Sequence, residues 1–117
     1  MEIDVEFYET ADGKEPAKDF LNSLDHKMRA KMVRMITLLE KNGNDLRSPY
    51  SKCLIDGIFE LRAKFGNDIT RVLYFFYIEQ RVVLTNGFVK KTQKTPVKEI
   101  TKARKYRADY IERNKKI

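Results

Sequence analysis

Two arginines stand where a short turn would bring them together. Arg62 ends an alternating segment, Arg71 begins an apolar one, and the Gly-Asn-Asp turn signal at 66–68 lies between them. A hairpin through that turn places both guanidinium groups on one face of a sheet. Planar guanidiniums suit phosphate oxygens, so the pair could hold a phosphodiester. The alternative is an ordinary cross-strand salt bridge, because Glu60 shares the face of Arg62.

Lysines accompany this pair at predicted strand ends and turns. A lysine supplies point charge, and among other cations its pKa falls and it can transfer protons. Phosphodiester cleavage by a ribose 2′-hydroxyl needs a base, cationic stabilisation of the phosphorane and an acid for the leaving oxygen. The catalytic candidates are Arg62, Arg71, Lys90 and Lys91. The RNA-binding candidates around them are Lys52, Lys64 and Lys94.

Basic charge is concentrated in the last part of the chain. The formal net charge is +7, and residues 90–117 hold 11 Lys/Arg against 3 Asp/Glu, whereas residues 1–89 hold 13 against 14. Such a field attracts polyanions, nucleic acid first among them, although a solvated basic tail explains it equally well. At a helical period Lys98, Lys102 and Lys105 share one side, which could bind the phosphates of a nucleic acid. A solvated face of an amphipathic helix is the alternative.

Periodic patterns predict an α+β fold in a single domain over residues 1–117. Strands are expected over 2–8, 58–62, 71–78 and 81–89, and helices over 16–24, 25–41 and 96–113. This gives N-terminal helices packed on a twisted, mainly antiparallel four-stranded sheet, followed by a C-terminal helix. Thr95 is the expected N-cap of that last helix. Three methionines at helical spacing, 28, 32 and 35, are expected in the core.

The other reactive residues have structural explanations. His26 stands beside Asp25 at a helix start, where a surface or capping role fits. Cys53 is expected to be buried or half-buried, and a single cysteine cannot form an internal disulfide, as is usual in a reducing cytosol. Arg107 falls on the apolar face of the last helix, so it either extends past the sheet or pairs with an acid or phosphate. No metal, cofactor or membrane motif is present, and a cytoplasmic location is expected.

Three ordered strings carry a resemblance to a known family. GIFELR at 57–62, TRVLYF at 70–75 and NGFVKKTQKTP at 86–96 resemble the phage-derived HigB-like toxins of the RelE/ParE superfamily. Segments 16–21 and 38–49 resemble it too, so the likeness covers nearly the whole chain. It implies cleavage of messenger RNA in the 30S A site of the ribosome, and in that setting we expect Lys98, Lys102 and Lys105 to bind ribosomal RNA. It also implies a cognate helix-turn-helix antitoxin, with operator DNA bound only through the antitoxin complex.

The resemblance leaves several mechanisms open, because the superfamily places ribosome-dependent ribonucleases and gyrase poisons on one scaffold. RelE-type nucleases resemble the chain at Arg62 and Arg71, but some carry lysine where Glu60 stands. Their catalytic tyrosine has no assigned counterpart, and His26 lies in the wrong element to replace the histidines of some HigB members. The first hypothesis is a metal-independent mRNA interferase that forms a 2′,3′-cyclic phosphate. The alternatives are a ParE-like gyrase-binding toxin and an inactive phage remnant acting as an antitoxin-binding co-repressor.

Overall fold

The computed structural model describes residues 2–78, 80–90 and 94–115. Its strands are β1 Asp4–Phe7, β2 Ser51–Ile55, β3 Ile58–Phe65, β4 Asp68–Tyr77 and β5 Arg81–Lys90. Its helices are α1 Pro16–Ser23, α2 His26–Asn42 and α3 Val97–Arg113, with a 3-10 turn at Gly43–Asp45. In the described ranges, every helix is too short or too polar to span a membrane.

The strands form one mixed sheet in the order β1-β5-β4-β3-β2. Three of its pairings are antiparallel, and β1 pairs with β5 in parallel. The α+β class and the mainly antiparallel pairing were predicted correctly, but the prediction of four strands was wrong. The missed strand, β2, is an edge strand with mostly exposed side chains, so it lacks the alternating pattern of a half-buried strand. Cys53 lies on this edge and is exposed, which contradicts the burial expected for it.

The helices cover both faces of the sheet. Against one face, α1 and α2 pack side chains that include Leu21, Met32 and Leu39 onto Leu61 and Tyr74. Against the other face, α3 packs Ala103 and Tyr110 onto a second cluster, whose strand members are Ile58, Leu73, Phe75 and Val83. The three methionines expected in the core are buried there, which confirms that prediction. The sheet is therefore the middle layer between two helical layers.

A bulge changes the orientation of side chains along β5. Leu73 pairs with Asn86, but the next residue of β4, Tyr74, pairs with Leu84, so Thr85 is the extra residue. Before the bulge, Leu84 packs in the cluster under α1 and α2. After it, Asn86 donates a hydrogen bond of 3.0 Å to the Glu99 carboxylate on α3. The bulge thus aims the second half of β5 at α3.

The ends of α2 and α3 test two predictions of helix capping. Asp25 caps α2, since its Oδ1 accepts a hydrogen bond of 2.9 Å from the Met28 amide, so the helix begins at His26, one residue after the predicted start. His26 is exposed, so of the two roles expected for it the surface role is confirmed. The N-cap of α3 is Pro96, so the expectation for Thr95 was wrong. The Thr95 hydroxyl donates to the Glu60 carboxylate instead. This contact fastens the start of α3 to the centre of β3.

Candidate functional site

The two arginines are direct neighbours across the β3–β4 hairpin. Arg62 pairs with Arg71 in register, and the hairpin closes three residues further on. Their strand neighbours Leu61 and Val72 belong to the core under α1 and α2, so the arginines lie on the α3 face of the sheet. The Arg71 side chain is only 6% exposed, and that of Arg62 is 26% exposed. The predicted juxtaposition of the two guanidiniums is confirmed.

Glu60 lies between the arginines and is completely buried. Its Oε1 is 2.5 Å from Nη1 of Arg71 and 3.2 Å from Nε of Arg62. Burial by itself would raise the pKa of Glu60, but the Thr95 hydrogen bond and the two guanidiniums outweigh it and hold the pKa below its ordinary value. The cross-strand salt bridge considered from the sequence is therefore present. It offsets one of the two positive charges, and the trio keeps a formal charge of +1.

Arg71 keeps one hydrogen-bond donor unused. Its Nε is buried and has no hydrogen-bond partner among the described residues. A buried donor without a partner costs about 1–3 kcal/mol, which an oxygen of a bound anion would relieve. Guanidinium groups bind phosphate and carboxylate through several such donors at once. The side chain therefore has hydrogen-bonding capacity beyond its contact with Glu60.

A groove of about 570 Å³ opens beside the pair, where β3 extends past the end of β2. Its lining comes from α2, from the turn before β2, and from β2, β3 and β4. The lining residues are Lys31, Met35, Pro49, Tyr50, Lys52, Arg62, Ala63, Lys64, Ile69 and Arg71. Five of them are cationic and none is acidic. A concave surface with charge of one sign focuses its field and concentrates anions.

A smaller cleft of about 320 Å³ lies beside Arg62, on the side that faces α3. It is more apolar than the groove, with residues from β2, from β3, from the segment that precedes α3, and from the first turn of α3. Its lining residues are Lys52, Leu54, Ile55, Glu60, Arg62, Lys94, Thr95, Val97 and Ile100. Lys52 and Arg62 line both the groove and the cleft. These two cations therefore stand on the ridge between the two depressions.

The structure brings together some of the candidate residues and separates others. Lys52 and Lys64 line the groove with the arginines, and Lys94 lines the cleft. The backbone of Lys90 pairs with the groove residue Ile69, and Lys91 lies outside the described residues. Lys98, Lys102 and Lys105 are exposed on α3 and line neither depression. Their predicted contact with ribosomal RNA stays a prediction.

Arg107 pairs with an acidic residue, which is one of the alternatives expected from the sequence. Its Nη2 lies 2.7 Å from Oδ2 of Asp56, and its Nη1 donates to the carbonyl of the same residue. The side chain is 20% exposed and its partner 59%. Pairing with an acid therefore explains this arginine, and Arg107 lines neither the groove nor the cleft.

Two groove residues were missed by the sequence analysis. Lys31 was not among the predicted site residues, but it is half-buried and lies on the groove wall. Its signal was its place beside Met32, at the margin of the apolar stripe. Tyr50 was passed over because it stands in a polar turn, although an exposed aromatic beside cations is a recurring feature of nucleic-acid sites. Within the described ranges, we find no group of three or more metal-ligating side chains.

The candidate site lies in the part of the chain that matches the model of a known protein family. The model of the family described as "Phage derived protein Gp49-like (DUF891)" matches residues 19–108. The match covers 90 of the 117 residues. It includes α2, β2 to β5, and every residue that lines the groove. No curated protein matches the chain.

Proposed function

We propose, from the premise that this chain belongs to the phage-derived Gp49-like family, that it is a type II toxin that cleaves messenger RNA. The observation that carries the proposal is the Arg62–Arg71 pair. One guanidinium is buried with an unused donor, and both line a groove with three lysines and no acid. A phosphodiester carries the charge and the oxygens that this arrangement suits. The resemblance to HigB-like toxins supports the same assignment.

In the proposed reaction, a ribose 2′-hydroxyl gives its proton to a general base and its oxygen attacks the adjacent phosphorus. The new P–O bond gives a 2′,3′-cyclic phosphate, and the bond to the 5′-oxygen breaks, so that this oxygen leaves as a hydroxyl after taking a proton. The crowded intermediate carries an additional negative charge on its phosphate oxygens. Arg62 and Arg71 stabilise that charge, and because it is absent from the bound substrate, their effect falls on the rate.

Glu60 is assigned to positioning rather than to proton transfer. A carboxylate with a lowered pKa is a weak base, and this one is buried against both arginines. It holds the two guanidiniums beside each other on the α3 face of the sheet. Lys90 and Lys91 are our candidates for proton transfer, Lys90 because its backbone is paired with the groove residue Ile69.

The partners in this proposal follow the HigB-like resemblance. The substrate is messenger RNA in the 30S A site, and Lys98, Lys102 and Lys105 contact ribosomal RNA. A helix-turn-helix antitoxin is the cognate inhibitor, and operator DNA is bound only through the antitoxin complex. The reaction takes place in the cytoplasm and uses no metal or cofactor.

The proposal is tested by cleavage of ribosome-bound messenger RNA in an extract, with cyclic phosphate ends as the readout. Arg62→Ala and Arg71→Lys should each lower the cleavage rate by about 100- to 1,000-fold, as removal of one preorganised donor does. Circular dichroism confirms that the variants fold. Arg107→Ala is the matched control, because this arginine also pairs with an acid but lies outside the groove. An Arg62/Arg71 double variant that cleaves like the wild type refutes the assignment.

Expression without antitoxin separates the other functions. Arrest of translation with cut messenger RNA supports the nuclease. DNA damage with intact messenger RNA identifies a ParE-like gyrase poison. A chain that leaves growth unaffected is an inactive remnant that acts through antitoxin binding.

A further inference from the structure

We infer that Tyr50 is a stacking platform for a nucleobase of single-stranded RNA bound in the groove. The inference rests on the proposed function in taking RNA as the ligand, but it does not require cleavage. It adds a contact to the base, whereas the arginines and lysines contact only phosphate. It also restricts the substrate to strands whose bases are unpaired.

The first support is the surroundings of the Tyr50 ring. The residue is 44% exposed and lines the groove. Across the described residues, its hydroxyl has no hydrogen-bond partner and its ring stacks on no other aromatic. A large ring that is partly exposed and stacked on no other aromatic gains contact area when a flat ligand covers it. The ring is therefore free to receive a base.

The second support is the rigid attachment of Tyr50 to the arginine site. Its carbonyl accepts a hydrogen bond of 2.9 Å from the amide of Arg62, and its amide donates to the carbonyl of Arg47 at 3.0 Å. The next residue, Ser51, forms a 2.5 Å hydrogen bond with the buried Tyr74 hydroxyl. The backbone of Tyr50 is thus fixed next to a phosphate-binding side chain. Each base is covalently joined to a phosphate, so a strand held by Arg62 presents a base to this region.

The third support is the charge of the groove. Lys31, Lys52 and Lys64 line it together with the two arginines. Basic grooves that follow the backbone, combined with aromatic rings that receive successive bases, are the general means of binding single-stranded nucleic acid. In a duplex the bases are stacked inside, where an aromatic side chain on a groove wall cannot cover them. The chemistry therefore favours a single strand.

The test measures binding of a 2′-O-methyl oligoadenylate hexamer and of an abasic 2′-O-methyl strand of equal length, neither of which can be cleaved. Fluorescence anisotropy at low salt gives both affinities. Tyr50→Ala should weaken binding of the adenylate by roughly 5- to 140-fold, the equivalent of about 1–3 kcal/mol for one stacked base. It should leave binding of the abasic strand unchanged. Tyr50→Phe should bind like the wild type, since stacking needs the ring and not the hydroxyl.

Two control variants separate stacking from charge. Phe65→Ala removes a ring that is also 44% exposed but does not line the groove, and it should leave both affinities unchanged. Lys64→Gln should weaken both strands equally and reduce their dependence on salt.

Several results would overturn the inference. They are an equal effect of Tyr50→Ala on the two strands, an absence of any effect, and a wild-type protein that binds neither strand. Tighter binding of an oligoglutamate of equal length would assign the groove to an acidic protein partner. Since these ligands cannot be cleaved, failure of the stacking test and failure of the nuclease test are separate outcomes.

Discussion

Removing the charge of Glu60 should destabilise the protein strongly. The carboxylate is fully buried, and its Oε1 lies 2.5 Å and 3.2 Å from nitrogens of Arg71 and Arg62. Unit charges about 4 Å apart interact by about 4 kcal/mol at an effective dielectric constant of about 20. Loss of one partner from a buried pair costs about 3–5 kcal/mol, because the remaining charge stays buried. We therefore expect Glu60→Gln to lower the free energy of unfolding by about 3–5 kcal/mol.

Urea denaturation followed by circular dichroism measures this loss. Glu99→Gln is the matched control, because Glu99 is also buried on the α3 side, but its close partner is the neutral amide of Asn86 at 3.0 Å and its ion-pair partner, Lys102, is exposed and 3.8 Å away. The control should cost about 1 kcal/mol or less. If Glu60→Gln is no more costly than Glu99→Gln at pH 7, the carboxylate is not the counterion of the arginine pair and the electrostatic reasoning is wrong.

The pH dependence gives a second check on the same residue. The pKa of Glu60 in the folded protein lies below its ordinary value of 4.5. A carboxyl group with a lowered pKa stabilises the fold above the pKa of the unfolded chain and loses this effect as the pH falls through the folded pKa. The difference between wild type and Glu60→Gln should be complete at pH 7 and should narrow below about pH 4.5.

Two further predictions concern the surface of α3 and the centre of β5. Changing Lys98, Lys102 and Lys105 together to glutamine should weaken ribosome binding and flatten its salt dependence, since each phosphate contact releases roughly 0.7–0.9 counterion. Unaltered affinity and salt slope would make these lysines a solvated surface. Gly87→Ala should cost about 1–3 kcal/mol in thermal unfolding, because the new Cβ would overlap the Phe20 ring and lie 3.0 Å from the carbonyl oxygen of Arg71. A melting temperature equal to that of the wild type would refute it.

Local sequence patterns predicted the elements whose apolar side chains recur at the period of a strand or a helix. Side chains alternate between apolar and polar in β3 and are mostly apolar in β4, and the turn residues between the strands fix their register. The pairing of Arg62 with Arg71 could therefore be predicted from the sequence. The edge strand β2 could not be found, because one side of it has no neighbour and its side chains are mostly exposed. The parallel pairing of β1 with β5 depends on the path of the chain over α1 and α2, which no local pattern contains.

The sequence predicted the two arginines of the candidate site but not the residues that line the groove around them. Lys31 reaches the groove only because α2 packs against β3, so its role depends on tertiary packing. The choice between a salt bridge and an open anion site also needed the structure. The Thr95 hydroxyl, 35 residues away in the chain, donates a hydrogen bond to Oε2 of Glu60 and helps to hold the carboxylate between the arginines.

The sheet order sets a sequence of events during synthesis. Asp4 of β1 pairs with Arg81 of β5, which is made 77 residues later. At about 5–20 residues per second, β1 waits roughly 4–15 seconds for its partner. Over that interval its edge is unpaired, and β4 has not yet become the centre of the sheet. The ion trio is completed later still, when Thr95 has left the ribosome and can reach Glu60. Thr95 is made 24 residues after Arg71, so a new chain spends about 1–5 seconds with both arginines present and the trio incomplete.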